Sequence, residues 1–167
     1  MNSRTIAAAM LALAFSAGAA AAQPASSFKD RIVGTWDFVV AEVTAPDGKK
    51  SFPFGETPKG ILIFTADGRF AQIHVAGDVP KIASNNRTTA TAEENKAIVG
   101  GSLAHFGTFS VNAADKTFTF KIETATFPNW SGTEQKRPFT ISGDQLRYTA
   151  AAASGGGTAT VVWKRAK

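Results

Sequence analysis

His74, His105 and Tyr148 are the residues on which proton transfer could be built, since the chain holds two histidines, one tyrosine and no cysteine. The missing cysteine removes thiol nucleophiles and thiolate metal sites. Two separated histidines fall short of a three-ligand zinc centre unless carboxylates help. His74 shares strand parity with Phe70 and Gln72, so if Phe70 points into a core, Gln72 and His74 line it too. A polar pair on an apolar wall is where a ligand hydroxyl or carbonyl would be fixed. The opposite phase buries Ile73 and Val75 and puts His74 in solvent; both remain open. His105 opens a strand just after Gly100-Gly101, which predicts a rim or surface position. Gly100-Gly101-Ser102-Leu103-Ala104 lacks the second glycine of a nucleophile elbow, and no acid–His–Ser order surrounds it. Glu93 and Glu94 belong to a helix start, and Glu123 is opposite in parity to Phe118, Phe120 and Ile122, so it faces solvent. No catalytic assembly, metal site or cofactor is predicted.

The elements that must position these residues are short strands. Gly34 to Val43 alternates Trp36, Phe38 and Val40 on one face, as in a half-buried antiparallel strand. Gly60 to Thr65 and Arg69 to Val75 flank Ala66-Asp67-Gly68, a hairpin signal. Thr91-Ala92-Glu93-Glu94 reads as a capping box opening a helix to about Val99. Strands follow at His105 to Asn112, Thr117 to Ala125, Arg137 to Ser142, Gln145 to Ala150 and Thr158 to Arg165. Eight strands joined by short turns, without crossover helices, predict an all-β fold: an eight-stranded antiparallel up-and-down barrel with one short helix. Closure removes the unpaired edges of an open sheet, and Trp36 reads as the plug of the barrel floor. Thirteen phenylalanines make the interior dry, with Phe38, Phe70, Phe118 and Phe120 as its wall. The polar run Thr133 to Arg137 is expected on the outer face. Trp130, on a long connection, either closes on a ligand at the mouth or covers Phe127 and Phe54 where loops cross the rim.

Residues 1–22 read as a cleaved signal peptide. Asn2-Ser3-Arg4 is a short basic start, Ile6 to Phe15 an apolar run, and Ala20-Ala21-Ala22 supplies the small residues of a cleavage site. The run is too short and too interrupted, by Ser16 and Gly18, for a membrane anchor of roughly 20 apolar residues. Cleavage after Ala22 leaves 145 of the 167 residues, one domain at 23–167, in the periplasm or secreted. The 18 Lys and Arg are scattered among 13 acids without a basic and aromatic stripe, so no nucleic-acid partner is expected. Stable membrane insertion is not expected either, and a monomer is.

Gly34-Thr35-Trp36, Pro53-Phe54-Gly55-Glu56-Thr57-Pro58-Lys59-Gly60, Thr65-Ala66-Asp67-Gly68-Arg69-Phe70 and Phe127-Pro128-Asn129-Trp130-Ser131-Gly132-Thr133-Glu134-Gln135-Lys136-Arg137 together resemble the bacterial and fungal lipocalin-like domain family over almost the whole of 23–167. The resemblance implies a lipocalin-type barrel for which no common ligand or reaction is defined. It also implies that an arginine of the last strand packs over the tryptophan of the first, which assigns Arg165 to Trp36 in a structural role. Where members of the family carry histidines before the Pro-Asn-Trp run, this chain has Thr117, Phe118, Thr119 and Phe120.

The favoured function is an exported barrel binding a small apolar or amphipathic molecule. Affinity would come from apolar area at about 25 cal/mol per Å², and specificity from Gln72, His74 and Tyr148. An isomerase or cyclase in which His74 or Tyr148 moves a proton is the alternative, and a filled structural barrel without ligand is a third. Interior volume discriminates among them.

Overall fold

A computed structural model describes residues 27–167; the signal-peptide segment 1–22 lies outside them. The elements are α1 (Phe28–Ile32), β1 (Gly34–Thr44), β2 (Lys50–Ser51), β3 (Lys59–Phe64), β4 (Arg69–Val75), α2 (Ala92–Gly100), β5 (Ser102–Asn112), β6 (Thr117–Ala125), a 3-10 turn at Pro128–Trp130, β7 (Glu134–Ser142), β8 (Gln145–Ala150) and β9 (Thr158–Arg165). Every strand pairing is antiparallel, in the order β2-β1-β3-β4-β5-β6-β7-β8-β9. β1 also pairs with β9, from Trp36 opposite Arg165 to Thr44 opposite Thr158, which closes eight strands into a barrel. The two-residue β2 is an appendage on the end of β1.

Two bulges set which residues face inward. Between Phe38 and Val40 the β1–β9 register shifts by one residue. An extra residue in one strand reverses the side-chain parity beyond it. Trp36 and Phe38 therefore point inward, Val39 is 42% exposed, and the next buried residue is Ala41. Val40, expected in line with Trp36 and Phe38, is displaced from the inner row. The second bulge lies between Phe106 and Gly107, opposite Glu123. There the strands approach so closely that a Cβ on residue 107 would run into the Lys121 carbonyl oxygen, so only glycine fits without backbone movement.

One end of the barrel is sealed. Ser27 and Asp30 form a capping box that starts α1, and Ile32 is fully buried. This helical turn adds to the single helix expected from sequence. Trp36, also fully buried, donates its indole N–H to the Ile32 carbonyl at 2.8 Å. The Arg165 guanidinium lies 4.1 Å from the Trp36 ring centroid and donates to the carbonyls of Val33, at 3.1 Å, and Arg31.

Above this floor the phenylalanines pack on one another. Phe70 stacks on Phe120 at 3.9 Å between centroids, Phe118 lies 4.7 Å from Phe120, and Phe64 lies 4.7 Å from Phe109. The lower barrel is thus filled by its own side chains, as an eight-stranded barrel allows. At the other end, Thr91 and Glu94 cap α2 reciprocally, and Glu94 also accepts from the Ala83 amide at 2.9 Å. That helix buries none of its residues, and its last turn lies at the mouth. Among the described residues no helix is long and apolar enough to cross a membrane.

Candidate functional site

The end opposite Trp36 holds a cavity of about 180 Å³, lined by residues that include Ala41, Val43, Phe54, Leu103, Ala159 and Val161. Gln72, His74, Trp130, Arg137 and Tyr148 supply polar groups from the barrel interior, and Ser51, Ser102 and Ser154 supply hydroxyls at its mouth. The inward parity of Phe70, Gln72 and His74 is what places the middle polar pair there: all three are buried on one face of β4.

A hydrogen-bonded chain runs across the barrel. Tyr148 donates its hydroxyl to Gln72 Oε1 at 2.9 Å, and Gln72 Nε2 is 3.1 Å from His74 Nε2. An amide nitrogen has only hydrogens to give, so His74 Nε2 accepts and the imidazole proton rides on Nδ1. That Nδ1 is buried without a partner. The His74 ring itself is clamped by aromatics, stacked 4.3 Å from Phe38 and lying 5.0 Å from Phe54 and 5.1 Å from Trp163.

Arg137 was expected on the outer face and is instead 2% exposed, inside the barrel. β7 begins at Glu134, earlier than sequence placed it, and its alternation carries Gln135, Arg137 and Phe139 inward. The shared parity of Arg137 with Phe139 was the available signal. The guanidinium lies 4.8 Å from the Phe120 centroid, 5.0 Å from Tyr148 and 5.7 Å from Trp130. It donates to Gln135 Oε1 at 2.6 Å, and its Nε has no partner.

His105 is likewise corrected from rim to interior. It is 3% exposed on the inward row of β5, edge-on to Trp130 at 5.4 Å and Phe70 at 5.5 Å. Neither ring nitrogen has a partner. Trp130 covers Phe127, with centroids 5.8 Å apart, while the aromatic neighbours of Phe54 are Phe38 and His74. Of the aromatic wall expected from sequence, Phe38, Phe70, Phe118 and Phe120 all point inward but belong to the packed core beneath the cavity, not its lining. Their mutual stacking uses the space they were expected to enclose.

Electrostatically the site contains one charge. Burial, helped by the Arg137 charge, pushes His74 down to about 3. Burial, then Arg137, then His74 hold His105 well below the ordinary histidine range. Burial lowers Arg137 from its usual value and raises Tyr148, against the opposing pull of the Arg137 charge. At neutral pH both imidazoles are therefore uncharged and Tyr148 keeps its proton. Such groups hold and orient a guest by hydrogen bonding; an imidazole with so low a pKa is a weak general base at pH 7.

The family model described as a lipocalin-like domain matches residues 33–166. Comparison with curated proteins gives no match. Among solved structures, a redesigned β-barrel is 18% identical, with 85% of this chain and 100% of that one covered and a TM-score of 0.44. A point mutant of the fluorescent protein UnaG is 14% identical, with 82% and 97% covered and a TM-score of 0.37. A second UnaG mutant is 15% identical, with 81% and 96% covered and a TM-score of 0.35.

Proposed function

The chain belongs to the lipocalin-like domain family, and from that premise we propose that it is an exported barrel that binds a small apolar or amphipathic molecule in the cavity above its phenylalanine core. The observation that carries this is the unfilled space of about 180 Å³ on which Gln72, His74, Tyr148 and Arg137 converge. A cavity of roughly 150 Å³ lined by apolar residues accommodates benzene, so the guest has an apolar body of about one ring. The low His74 pKa, about 3, supports binding over an isomerase or cyclase using that residue, and the open volume supports binding over a filled structural barrel.

A neutral aromatic probe such as indole or naphthol should bind saturably, followed by tryptophan fluorescence. Ala159→Phe, which projects a ring into the cavity, should abolish that binding while leaving the fold intact by circular dichroism. Saturable binding that ignores the Ala159→Phe ring would move the site elsewhere, and no binding across a lipophilic panel would end the proposal.

Export is part of the same proposal and rests on residues 1–22. N-terminal sequencing of the protein from its host should give Gln23 as the first residue, with the protein in the periplasm or medium. A chain that still begins at Met1 and sediments with membranes would refute it.

A further inference from the structure

Arg137 is a buried cation with no anion beside it. The buried polar side chains among the described residues are Gln72, His74, His105, Thr117 and Arg137, none of them a carboxylate. Among the described residues four ion pairs form, all at the surface and none involving Arg137. Taking a guanidinium out of water is costly even after relaxation, unless an anion compensates it. Three aromatic faces and one neutral amide oxygen offset a part of this. The neighbouring groups deepen the imbalance. His74 presents an unpartnered Nδ1–H and Arg137 an unpartnered Nε–H, while the Tyr148 hydroxyl, donating to Gln72, leaves only a neutral oxygen to accept from them. The cavity thus holds two unpartnered donors and one positive charge, and no carboxylate lines it.

We propose that the guest is a monocarboxylic acid, bound as its anion, with the carboxylate against the Arg137 guanidinium and within reach of His74, and with the apolar body lying among Ala41, Leu103, Ala159 and Val161. This rests on the binding reading above and adds the chemical class of the ligand. A carboxylate supplies the anionic acceptor that the site lacks, and a charge-assisted fork to arginine is the strongest single pairing available to it. With one guanidinium and no second cation lining the space, a dicarboxylate would leave a charge unpaired and is rejected.

The test compares 3-phenylpropionate with its primary amide, which has the same size and shape and no charge, by calorimetric titration of the protein and of an Arg137→Met variant. The acid should bind the native protein roughly tenfold or more tightly than the amide. Arg137→Met should remove that preference while the amide still binds. Its stability should be unchanged or raised, because an uncompensated buried charge gives way to an apolar side chain of similar length. Amide and acid binding the native protein equally would overturn the carboxylate assignment and leave the binding barrel standing. A preference that survives Arg137→Met, or Arg137→Gln if the former does not fold, would overturn it as well. Failure of both probes to bind would remove the binding reading together with this one.

Discussion

Trp36→Ala is expected to cost about 3–5 kcal/mol of stability, the usual range for truncating a fully buried tryptophan. The loss has three sources: the apolar area of the ring, the cavity left between α1 and the core, and the stranding of the Ile32 carbonyl that the indole N–H now satisfies. Arg165→Ala should cost less. It removes a cation–π contact worth roughly 0.5–2 kcal/mol and two donors to the carbonyls of Val33 and Arg31, but water replaces those donors at a half-exposed edge. Denaturant midpoints at a common slope rank the two variants. Equal and negligible effects would mean that Trp36 does not plug the floor.

Acid should destabilise the protein steeply, and a measurable share of that loss should belong to His74. In the unfolded chain His74 takes up a proton near pH 6.5, whereas in the folded barrel burial delays this to about 3. Between those values the unfolded state holds more protons, so stability falls as pH falls through that window and is flat with respect to this group above it. Each pH unit in the window is worth about 1.4 kcal/mol per fully linked group, which makes the total for His74 on the order of 4–5 kcal/mol. His105, depressed in the same direction, adds to the slope. Urea midpoints at pH 7, 6, 5 and 4 for the native protein and for His74→Phe provide the check, since the exposed carboxylates contribute alike to both. The variant should lose the His74 share of that slope; parallel curves would mean that His74 is not buried as a neutral ring.

Much of the architecture is legible because it is periodic. Alternating apolar residues bounded by turn signals locate the strands, and Thr91 with Glu94 marks the only helix of two turns or more among the described residues. The alternation Phe70-Gln72-His74 also brings the polar pair to the inner face. What sequence conceals is where the period breaks. Nothing in Phe38-Val39-Val40-Ala41 announces the bulge, yet that one residue decides that Ala41, not Val40, borders the cavity. Arg137 reads as part of a polar run and His105 as the opening of a strand, but β7 starts at Glu134 and β5 at Ser102, so both lie inside strands where parity turns them inward. Phe70, Phe118 and Phe120 were assigned correctly to the inner face, but facing inward does not distinguish lining a space from filling it. Only ring-to-ring distances make that distinction.

Closure by the first and last strands also governs the order of assembly. β1 and β9 lie at opposite ends of the described chain, so their pairing closes one of the longest loops available, and long-range pairings of this kind form late and slowly. Until β9 arrives, β1 has no partner on that flank, β8 has none beyond β7, and Arg165 is absent from the face of Trp36. A nascent chain of this topology cannot close its barrel until β9 has emerged. The same delay leaves two strand edges open to neighbouring chains during the interval, a hazard that ends with the final eight residues of strand.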